Sequence, residues 1–147
     1  MALKEQIAED MKAAMRAKDV SRLEAIRMLR AAIQRREVDE RVALDDAGVL
    51  SVIEKLVRQG QESIAQFQAA GRAELVAKEE AALAVFAAYR PEPLAPEALS
   101  ALIEEALQRT GAQSVRDMGK VMADLKPKLQ GRADMATVSA RIKERLA

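Results

Sequence analysis

The chain has 147 residues, 24 of them basic and 23 acidic, with no histidine and no cysteine. That length can bury a core without staples, and the absence of thiols excludes a disulfide framework. With neither imidazole nor thiolate, the usual zinc and copper ligands are missing, and so are the commonest catalytic base and nucleophile.

Alanine, leucine, glutamate, lysine and arginine dominate, and sustained β-branched or aromatic alternation is absent, so the expected fold is all-α. The first helix is expected over Leu3 to Ala17, with Ile7, Met11, Ala14 and Met15 on one face. Asp19 or Ser21 suits the cap of a second, roughly Ser21 to Val38. There Ile26, Leu29, Ala32 and Ile33 make the apolar stripe, with Arg27, Arg30 and Gln34 opposite and Arg35 at its margin.

Asp45 and Asp46 suit the start of a third helix, continuing to about Ala70. Its stripe reads Leu50, Ile53, Val57, Gly60, Ile64 and Phe67. An interior glycine costs about 1 kcal/mol relative to alanine, so Gly60 points to close packing against another helix. Gly71 stops this helix, and a fourth, Ala73 to about Tyr89, is expected to bury Leu75, Leu83 and Phe86.

RPEPLAP, Arg90 to Pro96, holds prolines at 91, 93 and 96 and reads as a stiff extended connector. The chain therefore divides into an N-terminal helical subdomain at 1–90, a Pro-rich connector at 91–96 and a C-terminal three-helix subdomain at 97–147. In the last of these, Leu99, Ile103 and Leu107 follow Pro96 at helical spacing and Gly111 ends the helix. Ser114 with Asp117 resembles a capping box, and Asp134 suits the cap of a final helix carrying Val138, Ile142 and Leu146.

The middle helix of the three opens DMGKVMADLKPKLQGRAD, Asp117 to Asp134, with Met118, Val121, Met122 and Leu125 at helical spacing. Pro127 is expected to interrupt the helix and Gly131 to stop it, making a turn whose backbone N–H groups can hold an anion. Lys120, Lys126, Lys128 and Arg132 gather around it. A second cluster is basic by count: Met11 to Arg36 holds eight basic residues against two acidic ones. Within it, Arg27 and Arg30 are spaced to reach successive phosphates. With aromatic residues at 2% of the chain, any nucleic acid would be gripped by backbone and shape.

Little else suggests chemistry. There is no P-loop, GxGxxG, GxSxG, DxD or EF-hand loop, and nothing implies a cofactor or a metal. Glu79–Glu80 and Glu104–Glu105 are adjacent, so their side chains diverge by about 100° on a helix. No catalytic residue is assigned. No stretch approaches the roughly 20 apolar residues of a membrane span, and MALKEQIAEDMKAAM lacks the apolar run of a secretory signal. The expectation is a soluble cytoplasmic chain with no membrane partner.

SRLEAIRMLRAAI (Ser21 to Ile33), RQGQESIAQFQAAGRAEL (Arg58 to Leu75), YRPEPL (Tyr89 to Leu94) and the Asp117–Asp134 segment resemble, in that order, the YqeY-like family. It is also called the GatB/YqeY domain, after the C-terminal tail of the B subunit of the glutamyl-tRNA(Gln)/aspartyl-tRNA(Asn) amidotransferase. The resemblance implies a two-part all-helical fold and a tail that lies away from the catalytic cradle and contacts the body of the tRNA. It also brings a label of carbon–nitrogen ligase activity with glutamine as amide donor, for which these residues offer no constellation. Lys120, Lys126, Lys128 and Arg132 match the family pattern and carry over as a candidate tRNA-facing surface. Gly60 stands where a second basic residue is expected, Arg90 where leucine is usual, and Met135 where glycine is common. The expected partners are tRNA and amidotransferase or aminoacyl-tRNA synthetase components. The competing reading is a helical protein–protein adaptor.

Overall fold

The structure, a computed structural model, describes residues 2–129 and 131–147. Among the described residues there are seven α-helices, one 3-10 turn and no strand, and the chain forms two compact units, Met1–Arg90 and Pro91–Ala147. The all-α expectation holds.

In the first unit, α1 (Leu3–Ala17) is followed across Lys18 and Asp19 by α2 (Val20–Glu40). Lys18 takes a left-handed conformation at φ 56°, and the Asp19 carboxylate accepts from the Arg22 backbone N–H at 3.2 Å. These two residues end one helix and cap the next, one of the four orphan N–H groups at a helix start being satisfied by a side chain. The start of α1 has no cap of its own; the Leu3 N–H donates instead to Asp46 Oδ1 at 2.9 Å. Asp46 opens α3 (Asp46–Ala69), whose own cap is Asp45, accepting from Gly48 N–H at 2.9 Å.

Ile7, Ala14, Ala25, Ile26, Leu29, Ile33, Val49, Val52, Ile53, Val57 and Phe86 form the core of this unit, with Met11, Leu50 and Leu83 packed at its edge. Full burial of each large aliphatic side chain removes about 1.5–3 kcal/mol of apolar exposure. Two faces differ from expectation. Met15 is exposed, because α1 ends one turn past the last core contact at Ala14. On α3, Val49 and Val52 are buried while Ile64 and Phe67 are half-exposed. The C-terminal half of α3 meets little beyond α4 (Ala73–Ala87), so its stripe is covered from one side only.

Gly60 behaves as its position suggested: a Cβ there would sit 2.5 Å from Leu83 Cδ2 and 3.1 Å from its Cγ, so α3 and α4 approach closely at this point. Leu75 and Leu83 are half-buried, and Phe86 alone of the three expected α4 residues is fully buried. The helix ends at Ala87, and Tyr89 folds back beyond it into the core, its hydroxyl donating to Asp10 Oδ2 at 2.5 Å.

The second unit contains α5 (Pro96–Thr110), a 3-10 turn (Val115–Asp117), α6 (Met118–Leu129) and α7 (Met135–Leu146). Leu99, Ile103, Leu107, Val121, Leu125, Leu129, Val138 and Ile142 make its core. Pro96 stands in the first turn of α5, where its missing N–H costs nothing, and Gly111 closes the helix at φ 67°. The Ser114–Asp117 capping box is present and opens the 3-10 turn. Pro127 does not interrupt α6; the helix runs through it to Leu129. A proline two residues before a helix end removes a single intrahelical hydrogen bond, and the buried Leu125 and Leu129 hold the last turn in place. Gly131, at φ 76°, then reverses the chain.

Candidate nucleic-acid interface

The α1–α2 hairpin carries an open groove of about 600 Å³. Lys4, Ile7 and Met11 line it from α1; Arg27, Arg30, Ala31, Ile33, Gln34 and Glu37 line it from α2. Ile7 and Ile33 are core residues whose edges form the floor. One acidic group is present and it is committed. Glu37 Oε2 accepts from Lys4 Nζ at 2.6 Å and from the Leu44 backbone N–H at 2.8 Å. The Lys4 hydrogen bond, then that from Leu44, holds the Glu37 carboxyl below the usual carboxylate range.

Arg27 and Arg30 are exposed on this wall, and among the described residues neither has a carboxylate within 4.0 Å. Arg30 Nη1 lies 3.1 Å from the Met11 sulfur, a weak acceptor that orients the guanidinium across the groove without neutralising it. Arg22 and Arg36 of α2 are engaged, whereas the exposed Arg35, like Arg27 and Arg30, has no carboxylate within 4.0 Å among the described residues. Arg22 Nη2 is 3.9 Å from Asp10 Oδ2, and Arg36 bonds Ser51 Oγ at 3.0 Å with Glu40 at 4.0 Å. The structure thus brings Arg27 and Arg30 together as a free guanidinium pair.

It does not do so for the C-terminal residues. Because α6 continues through Pro127, Lys126 and Lys128 lie roughly 160° apart about its axis, at about 100° per residue. Lys128 Nζ leans to within 4.0 Å of Asp124 Oδ2, which Arg109 Nη2 also approaches at 3.6 Å. Lys120 lies one turn along from Asp117. The Asp117 carboxylate accepts from Gln113 and Ser114 N–H groups, which, with the nearby Lys120 charge, hold it below its usual range.

Arg132 has a different task. Its carbonyl accepts from Leu94 N–H at 2.9 Å and its Nε donates to the Glu92 carbonyl at 3.5 Å. It fastens the proline connector to the α6–α7 turn. Nor is the start of α7 open to an outside anion: Asp134 accepts there from Ala136 N–H at 3.4 Å and Thr137 Oγ1 at 2.9 Å. The chain's own carboxylate fills the place a phosphate would take. The expected turn exists, but it does not gather Lys120, Lys126, Lys128 and Arg132 into one patch.

Among the described residues no group of three or more acidic side chains could hold a metal ion. Glu104 is paired with Arg145, whose Nε and Nη2 both reach its carboxylate, the second at 2.8 Å. This contact ties α5 to α7 and holds Glu104 below its usual range. Sequence reasoning missed three such links: Tyr89 to Asp10, Arg132 to the connector, and Lys4 to Glu37. Their partners are 79, 40 and 33 residues apart, and no local pattern announces them.

Fold and groove together define a small all-helical protein with a groove wall carrying two cations that have no carboxylate partner among the described residues. The family described as Yqey-like protein matches residues 4–146, and the chain belongs to that family. Among its relatives, altered inheritance of mitochondria protein 41, mitochondrial, of Pyrenophora tritici-repentis is 32% identical over 142 residues, covering 95% of this chain and 78% of the relative. The protein of the same name in Eremothecium gossypii is 39% identical over 84 residues, 56% of this chain and 46% of the relative. Both are named as mitochondrial proteins, which overturns the cytoplasmic placement expected from the sequence. Among the described residues no helix is long and apolar enough to cross a membrane, which says nothing about the compartment that holds the chain.

Proposed function

We propose that this YqeY-family chain is a binding module for tRNA, acting beside amidotransferase or aminoacylation machinery and not carrying out amide transfer alone. The observation supporting it is the Arg27–Arg30 pair, two exposed guanidiniums on one helix wall with no carboxylate partner among the described residues. Side chains three apart on a helix lie about 5–6 Å apart at Cβ, a spacing suited to neighbouring phosphates. Lys120, Lys126, Lys128 and Arg132 are the secondary surface. They contribute less in this reading, since Lys128 is shared with Asp124 and Arg132 holds the connector.

The experiment is a fluorescence-anisotropy titration with bulk tRNA at low and moderate salt. Binding should weaken steeply with salt, because phosphate contacts release counterions. The double change Arg27→Ala with Arg30→Ala should weaken binding about tenfold or more, and Lys126→Ala with Lys128→Ala by less. No binding at low salt would end the reading. Amide transfer from glutamine by the purified chain would contradict its second half.

A further inference from the structure

We propose that the outer face of α2 pairs with the same face of a second copy of this chain, the two helices running antiparallel about a two-fold axis. The inference does not rest on the RNA-binding reading. At about 100° per residue, Val20, Glu24, Met28, Ala31, Arg35 and Val38 fall within one arc of about 80°, opposite the core residues Ile26, Leu29 and Ile33. All six are exposed, Val20 at 65%, Met28 at 52% and Val38 at 68%. Scattered apolar residues on a surface mean little, but three of the six large ones exposed among the described residues lie on this one strip. A surface helix ordinarily turns a polar face to water. Helix α2 instead carries apolar groups on both faces.

The charges on the strip select the occupant. Glu24 and Arg35 are its two charged residues, and neither has an ion pair among the described residues. They stand eleven residues apart, about 16 Å along the axis, so they cannot meet within one helix. An antiparallel pair can set Glu24 of one copy level with Arg35 of the other, and two-fold symmetry then makes that ion pair twice. The same register sets Met28 level with the small Ala31 of the other copy, again twice, and brings Val20 within one residue of Val38. One register therefore covers every apolar group of the strip and pairs both of its charges. A parallel pair would set Glu24 against Glu24 and Arg35 against Arg35. An acidic helix from another protein would answer Arg35 but place like charge against Glu24. Arg27 lies about 20° outside the arc, at the rim, and stays in water.

One helix on one helix is small beside the about 1,200–2,000 Å² of a standard interface, so a reversible dimer with a Kd of about 10–100 μM is expected. Sedimentation equilibrium of the nuclease-treated full chain, from below that range to above it, reads the association. Met28→Glu puts an unpaired charge at the centre of the strip and should weaken dimerisation at least about tenfold. Glu24→Arg and Arg35→Glu each set like charges level across the pair and should weaken it at least about fivefold. The double change, Glu24→Arg with Arg35→Glu, rebuilds both ion pairs in reverse and should return the Kd to within about twofold of the parent chain. That rescue cannot arise inside one chain, given the distance between the two residues. Thermal melts by circular dichroism check that each variant folds. A chain that stays monomeric throughout, a dimer that Met28→Glu leaves intact, or a double variant no tighter than the single ones overturns the proposal. So does a monomeric chain that binds a labelled glutamate-rich amphipathic peptide and loses it on Met28→Glu, which would give the strip to another protein.

Discussion

Tyr89 offers the sharpest test of how the first unit is held together. It is the chain's single tyrosine, and there is no tryptophan, so the tyrosinate absorbance band reports on this residue alone. Its ring is 8% exposed and its hydroxyl donates to Asp10 Oδ2 at 2.5 Å. Burial, then the Asp10 hydrogen bond and charge, push the phenol from 10.0 up to about 12, with Arg22 opposing weakly. A group whose folded pKa is raised stabilises fully below the unfolded value, and that contribution is lost as pH climbs from about 10 to about 12. Tyr89→Phe keeps the buried ring and removes a hydrogen bond to a charged acceptor, a loss of about 1.5–3 kcal/mol. Urea unfolding near neutral pH should show that loss, and the gap between the parent chain and Tyr89→Phe should close above pH 10. The native absorbance titration should be centred near 12 and that in urea near 10. Asp10→Asn should bring the native midpoint part of the way down, because burial remains. A native midpoint near 10, or a stability gap that does not change with pH, would refute the reasoning.

Other expectations follow from single contacts. Gly60→Ala gains about 1 kcal/mol of helix propensity but drives a Cβ to 2.5 Å from Leu83 Cδ2, with overpacking typically costing about 1–3 kcal/mol. The net is a loss of about 1 kcal/mol that Leu83→Ala should relieve, measurable as a coupling of about 1 kcal/mol in a denaturation double-mutant cycle. Asp19→Ala removes the α2 cap and should cost about 1 kcal/mol in the same assay. Arg132→Ala should leave helix content unchanged by circular dichroism yet raise the rate of limited proteolysis within 91–96, since it releases the Glu92 carbonyl while the backbone bond from Leu94 N–H to the residue-132 carbonyl stays. Glu104→Gln should lower stability by less than about 1 kcal/mol, as expected of an exposed pair. The depressed Glu104 value means the pair stabilises above the unfolded carboxylate range and fades as acid protonates it.

What was legible along the chain is what neighbours within a turn or two decide. The α1 bounds agree with expectation, and so do Asp19, Asp45 and Asp134 as caps and Gly111 as a stop, because periodicity and cap chemistry are local. Gly60 was legible for a related reason: an expensive residue on a buried stripe implies a near neighbour, although not which one. Pro127 misled because the usual rule concerns a helix interior, and here the core contacts of Leu125 and Leu129 outweigh one lost hydrogen bond.

The candidate site depended on something else. Arg22, Arg27, Arg30, Arg35 and Arg36 are alike as letters on one helix, yet long-range packing engages two of them, supplying Asp10 to Arg22 and Ser51 to Arg36, and leaves the other three without a carboxylate among the described residues. Likewise Lys128 and Arg132 look like one basic cluster until Asp124 and the Glu92 carbonyl are found beside them. Helices and their ends follow from bonds within a few residues, so the sequence alone suffices for them. Whether a charge is spent or available depends on partners tens of residues distant, and only folding brings those within reach.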